Sequence, residues 1–112
     1  MPLYVPNRGD VVWLNFDPQA GHEQRGRRPA LIVSPRPYNG RSGLALCCPI
    51  TSQTKRYPFE TPVTPADAIQ GVILCDQIRS VDWRARKARF VAKVSTGCVE
   101  DVLAKIEVLV RR

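Results

Sequence analysis

Between Asp17 and Arg28 the chain gathers one imidazole, one carboxylate and three guanidiniums: His22, Glu23, Arg25, Arg27 and Arg28. A carboxylate can accept a proton, an imidazole can accept or donate one, and guanidiniums neutralise negative charge building on an anionic substrate. Neighbouring arginines keep Glu23 ionised. Arg28 adjoins the apolar run Ala30-Leu31-Ile32-Val33 and is the best anchored of the three arginines. Read from the residues alone, the same stretch is equally a solvated loop in which Glu23 and Arg28 form a weak ion pair. His22 is the only histidine, so a two-histidine acid–base pair is absent from one chain.

The elements that must position these groups read mainly as strands. Val11–Phe16 follows the turn signal Asn7-Arg8-Gly9-Asp10 and reads as a strand. Asp17–Arg27 is expected to be a long polar loop, and such loops on rigid scaffolds are often functional. Strands are predicted at Pro29–Ser34, Leu44–Ile50, Phe59–Val63, Val72–Ile78 and Arg89–Val94, with Pro35–Ser42 a loop and Thr51–Tyr57 a polar, basic segment. Thr64-Pro65 would open a brief helix that Gly71 ends, and Ser80–Arg84 would form one helical turn. The tail is the clearest helix. Ser95 or Thr96 caps it, Glu100 and Asp101 are expected in its first turn, and Val99, Val102, Leu103, Ile106, Leu109 and Val110 mark one apolar face. Many short strands followed by one helix suggest a small barrel or curled antiparallel sheet with the helix packed on it.

The 112 residues fit one domain over 1–112. No apolar run approaches the ~20 residues of a membrane span, and the start lacks a signal-peptide pattern, so a cytoplasmic location is expected. The net charge of +7 suits a polyanionic partner, or simply a basic soluble protein. Arg25, Arg27, Arg28, Arg36, Arg41, Lys55 and Arg56 form one basic block, and Arg79, Arg84, Arg86, Lys87, Arg89 and Lys93 another. Few acids interrupt them, as on a surface that tracks phosphates. Cys47, Cys48, Cys75 and Cys98 contain no Cys-x-x-Cys pair. They give zinc no recognisable ligand set and read as reduced core residues.

Taken in order, the chain resembles the MazF/PemK family of toxin ribonucleases. The residues that match are Gly9-Asp10 and Trp13; Phe16-Asp17-Pro18; Gly21-His22-Glu23-Gln24; Arg28-Pro29-Ala30; Val33-Ser34-Pro35; Tyr38-Asn39; Pro49-Ile50-Thr51-Ser52-Gln53; Tyr57-Pro58-Phe59-Glu60; Asp76-Gln77-Ile78-Arg79-Ser80; and Trp83-Arg84-Ala85-Arg86. No single tetrapeptide decides it, but the collinear set covers nearly the whole chain. The resemblance implies an SH3-like barrel of antiparallel strands with a C-terminal helix, the MazF/PemK/CcdB-type fold. It implies a homodimer that cleaves single-stranded RNA at short sequences without metal or other cofactor. The products would carry 2′,3′-cyclic phosphate and 5′-hydroxyl ends. It also implies a MazE-like antitoxin whose acidic, flexible tail occupies the RNA groove.

The resemblance places catalysis on Arg28, Thr51 and Glu23. Arg28 would neutralise the scissile phosphate, Thr51 would donate a hydroxyl hydrogen bond to a phosphate oxygen, and Glu23 would act as base or orient Arg28. A second scheme in the PemK branch uses a histidine with an arginine and an aspartate. This chain has His22 and Asp76 but Leu74 where that branch carries its arginine, so His22 is at most auxiliary. Gln53, Lys55, Arg56, Tyr57, Asp76, Gln77, Arg79, Ser80, Arg84, Arg86 and Lys87 are the expected RNA contacts. Phe59 and Trp83 read better as core. The rival reading on the same fold is a gyrase poison, whose relatives end in Trp-Gly-Ile, whereas this chain ends Leu109-Val110-Arg111-Arg112.

Overall fold

The computed structural model describes residues 4–16 and 26–111. In chain order it contains β1 (Asp10–Asn15), β2 (Arg27–Ile32), α1 (Arg36–Ser42), β3 (Leu44–Thr51), β4 (Glu60–Pro62) and β5 (Val72–Leu74). A 3₁₀ turn at Cys75–Gln77, β6 (Arg79–Asp82), β7 (Arg89–Lys93) and α2 (Thr96–Val110) follow. The strands form one seven-stranded sheet in the order β4-β5-β3-β2-β1-β7, with β6 paired to β3. Every pairing is antiparallel. This is the expected architecture, a mainly antiparallel β structure with a C-terminal helix.

Side-chain alternation along the strands separates two cores. Val11, Leu31 and Cys48 face one of them, which also holds Ile73 and Cys75 and receives Cys98, Val99 and Val102 from α2. Val12, Ile32 and Cys47, each the next or preceding residue, face the other with Leu14, Ala30, Val81 and Trp83. Adjacent Cys47 and Cys48 therefore point to opposite sides, and all four cysteines are free and buried. Trp83 belongs to the core, its indole N–H donating to the Asn39 carbonyl at 2.9 Å. Phe59 is half-buried against the first core.

Several expectations need correction. Pro35–Ser42 is not a loop but contains α1, with proline in its first turn and Gly43 closing it at φ 76°. Its support is tertiary: the Asn39 amide is fully buried and donates to the carbonyls of Pro6 (2.8 Å) and Ser34 (2.9 Å). No helix follows Thr64. The Thr64 carbonyl, which a capping residue would offer to its own helix, accepts from Ser95 N instead (2.8 Å), and Val63 N donates to the Gly71 carbonyl (3.0 Å). Ser80–Asp82 lies in β6, and the turn comes later, over 83–87. The strand predicted over Val72–Ile78 stops at Leu74. Arg27, expected as the last residue of the loop, opens β2, which also takes in Arg28. Ser95 caps α2, accepting from Cys98 N at 3.1 Å. Glu100 and Asp101 fall beyond the first turn. Asp101 instead accepts from Thr61 Oγ1 (2.7 Å) and pairs with Lys105 (3.0 Å). Leu109 and Val110, expected on the buried face, are exposed.

Candidate active site

Arg28 and Thr51 sit on neighbouring strands. The β2–β3 register runs Ala30 opposite Pro49 and Leu31 opposite Cys48. Continued for two residues past Ala30, it brings Arg28 level with Thr51. Alternation puts both on the face of the second core, since Arg28 lies two residues before buried Ala30 and Thr51 four after buried Cys47. Both border one depression of about 460 Å³ at this end of the sheet, lined also by Ser52 and Gln70 and by Trp13, Pro29 and Ile50, which alternation assigns to the first-core face. Arg28 is exposed, and no other described residue takes up its guanidinium donors.

Thr51 is held closely. Its Oγ1 accepts from Gln53 N at 3.2 Å, which occupies a lone pair and leaves the O–H to donate elsewhere. Behind it stands Gly71, at φ 147°, packed so tightly that an added Cβ would collide with the Thr51 carbonyl. The sequence suggested that Gly71 ended a helix, but its importance is this close approach to β3.

Thr51 also lines a second depression, of about 390 Å³, with Gln53, Lys55, Tyr57, Glu60, Leu74, Asp76 and Gln77. The two hollows thus share Thr51. Across the second, the Tyr57 hydroxyl donates to Asp76 Oδ2 at 3.0 Å, and this bond raises the phenol's pKa above its usual value. The Glu60 carboxylate accepts from Thr54 Oγ1 (2.5 Å) and Lys55 N (3.1 Å). The Thr54 bond, helped by backbone amides, holds Glu60 below the ordinary carboxylate range. The role of Glu60 was not legible from its residue type, because its partners lie in a segment with no regular structure.

The remaining expected contacts line neither hollow. Arg79 and Arg86 stand over the Phe16 ring, 5.2 and 5.7 Å from its centroid. Arg86 also donates to the Asn15 carbonyl (3.1 Å), and Arg27 donates to Asn15 Oδ1 (2.7 Å). Arg84 lies over the Trp83 ring at 5.0 Å. Arg56 and Lys87 adopt left-handed backbone, with φ of 56° and 55°. Ser80 is exposed on β6, opposite Leu46. His22 and Glu23 lie outside the described residues. Among the described residues no three His, Cys, Asp or Glu side chains are grouped as metal ligands would be.

A model of the PemK-like, MazF-like toxins of type II toxin–antitoxin systems matches residues 7–110. The endoribonuclease toxin MazF of Escherichia coli K12 is 45% identical over 107 residues, 96% of each chain. The endoribonuclease toxin ChpB of the same strain is 37% identical over 92% of each chain. Among solved structures, MazF of Deinococcus radiodurans superposes with a TM-score of 0.87 at 48% identity, covering 98% of this chain and 100% of that one. A MazE–MazF structure from the same organism gives a TM-score of 0.90 at 50% identity, with 96% of each chain covered.

Proposed function

This chain belongs to the PemK-like, MazF-like toxin family of type II toxin–antitoxin systems, and from that premise we propose that Arg28 and Thr51 are the centre of a metal-independent endoribonuclease site. The chain is an endoribonuclease toxin, and cleavage of RNA is how it stops translation. In the reaction the 2′-hydroxyl of a ribose attacks the adjacent phosphorus. The new 2′-O–P bond forms, the bond to the 5′-oxygen breaks, and the products carry a 2′,3′-cyclic phosphate and a 5′-hydroxyl.

What supports these roles is the depression that Arg28 and Thr51 share. A guanidinium that stays charged and a hydroxyl whose acceptor side is already engaged can both bind the non-bridging oxygens of one phosphate. Negative charge grows on those oxygens as the 2′-oxygen adds, so both bonds strengthen towards the transition state. Glu23 takes the proton from the 2′-hydroxyl or orients Arg28, a role that rests on the family resemblance. His22 is auxiliary at most. Gln53, Lys55, Tyr57, Asp76 and Gln77 line the neighbouring hollow, where unstacked bases meet polar edges and an aromatic ring. Arg56, Arg79, Ser80, Arg84, Arg86 and Lys87 extend the contact along the backbone of the single strand.

The active form is a homodimer in the cytoplasm. Exposed Leu44, Leu46, Val108, Leu109 and Val110 supply apolar surface for a second copy to cover. The net charge of +7 suits a MazE-like antitoxin with an acidic, flexible tail that competes for the RNA groove. No described helix is long and apolar enough to cross a membrane. Incubating the protein with a defined RNA in excess chelator tests the chemistry. Cuts bearing 5′-hydroxyl and cyclic phosphate ends are expected; 5′-phosphate ends, or cutting only when a divalent ion is restored, would refute it.

A further inference from the structure

Between β3 and β4 the segment 52–58 makes no strand or helix, and every residue in it is exposed. It nevertheless supplies Gln53, Lys55 and Tyr57 to the wall of the hollow beside Thr51. Something must hold it, since fixing each residue of a free loop costs roughly 1–2 kcal/mol of backbone entropy. The contacts converge on Glu60. Its side chain reaches back to take the Thr54 hydroxyl on one oxygen and the Lys55 amide on the other. Its own amide donates to the Tyr57 carbonyl at 3.1 Å. The Thr54 hydroxyl oxygen also accepts from Arg56 N (3.1 Å), which holds Arg56 in the left-handed region at φ 56°. On the far side, the Glu60 carbonyl accepts from Lys105 Nζ at 2.8 Å, and Lys105 is paired with Asp101 on α2.

The choice of partners is informative. Glu60 is only 9% exposed, yet no described lysine or arginine forms an ion pair with it. A buried carboxylate is tolerated only where donors satisfy it. Here the donors come from the loop itself, so the burial of this acid and the shape of the loop depend on each other.

We propose that Glu60 is a positioning residue for RNA: through Thr54 and the Lys55 amide it fixes the 53–57 segment, so that Lys55 and Tyr57 are presented to the strand being cut. The inference rests on the RNA-cleaving reading of the site and adds a residue that does not itself touch the reacting phosphate. Lys55 and Tyr57 bind substrate in the ground state as well as the transition state, so their loss from position raises KM and spares kcat.

The test is steady-state cleavage of one defined single-stranded RNA oligonucleotide by the wild type, Glu60→Ala, Glu60→Gln and Thr54→Val. Thr54 is exposed, so Thr54→Val carries the test even where Glu60→Ala folds poorly. Thr54→Val and Glu60→Ala are expected to raise KM about tenfold, the effect of losing a charge-assisted contact, with kcat within about twofold. Glu60→Gln should fall between, because its amide oxygen still accepts from one loop donor. In Thr54→Val the slope of log KM against log salt should also drop by about 0.7, one phosphate contact for a single strand. Wild-type KM and salt slope in Thr54→Val, beside an active wild type, would overturn the inference alone. A wild type that cuts no RNA would overturn the reading on which it rests.

Discussion

Whether a threonine hydroxyl can serve a phosphate depends on where its lone pairs and its proton go. At Thr51 the Gln53 amide takes one lone pair, at 3.2 Å, and leaves the O–H free to donate, on our proposal to a phosphate oxygen. Other polar groups are committed to structure. The Thr61 hydroxyl and then Lys105 hold Asp101 below its ordinary carboxylate range. A lowered folded-state pKa means that the stabilisation is complete above the unfolded value of about 3.9 and disappears as pH falls through the folded one. Asp101 is half exposed, so its share is modest: the thermal midpoint should fall by a small step below about pH 4, and Asp101→Asn should lose less over that window while starting slightly lower at neutral pH. Melting curves followed by circular dichroism read this directly. An unchanged acid profile in Asp101→Asn would show that Asp101 contributes nothing to acid sensitivity.

At the scale of elements, the site is a strand end braced by a glycine. Since an added Cβ at Gly71 meets the Thr51 backbone and φ there is 147°, Gly71→Ala must push β3. A displacement of about 1 Å near reacting groups costs on the order of a hundredfold in rate, so kcat in Gly71→Ala is expected to fall by roughly that factor. Wild-type kcat in that variant would show that Thr51 is not held from behind. The strands that present Arg28 and Thr51 were legible in the sequence, because Val11-Val12, Leu31-Ile32 and Cys47-Cys48 are apolar on both faces and each face has a core to fill. The α2 cap at Ser95 was legible too, being a local hydrogen bond. What could not be read depended on partners distant in the chain. Helix α1 has no apolar periodicity and stands on the buried Asn39 amide, 33 residues from Pro6. The helix suggested by Thr64-Pro65 does not form; the Thr64 carbonyl is bound instead to Ser95 N, distant in the chain. The pairing of Arg28 with Thr51 came from the family resemblance, and the β2–β3 register supplies its geometry.

For the molecule as a whole, charge and burial divide the work. The thiols lie inside; burial pushes Cys47 up to about 11 and raises Cys48 and Cys75 as well, so these three are not available as nucleophiles at neutral pH. The cations lie outside, and the Arg79 and Arg86 pair over Phe16 is separate from the two hollows. If the RNA strand passes both places, apparent affinity should fall steeply with salt, and Arg79→Gln should flatten the slope by about 0.7 without changing kcat. A slope equal to that of the wild type would confine the RNA to the hollows. The proposed cleavage requires one phosphate held jointly by Arg28 and Thr51. The direct measurement is single-turnover cleavage of one RNA oligonucleotide, in excess chelator, by the wild type, Arg28→Ala, Thr51→Val and the double variant. Each single variant should keep the wild-type melting temperature and lose about a hundred- to thousandfold in rate. The double variant should lose far less than the product of the two, because groups serving one phosphate fail together. A folded Arg28→Ala or Thr51→Val that cuts at the wild-type rate, or losses that multiply in full, would contradict it.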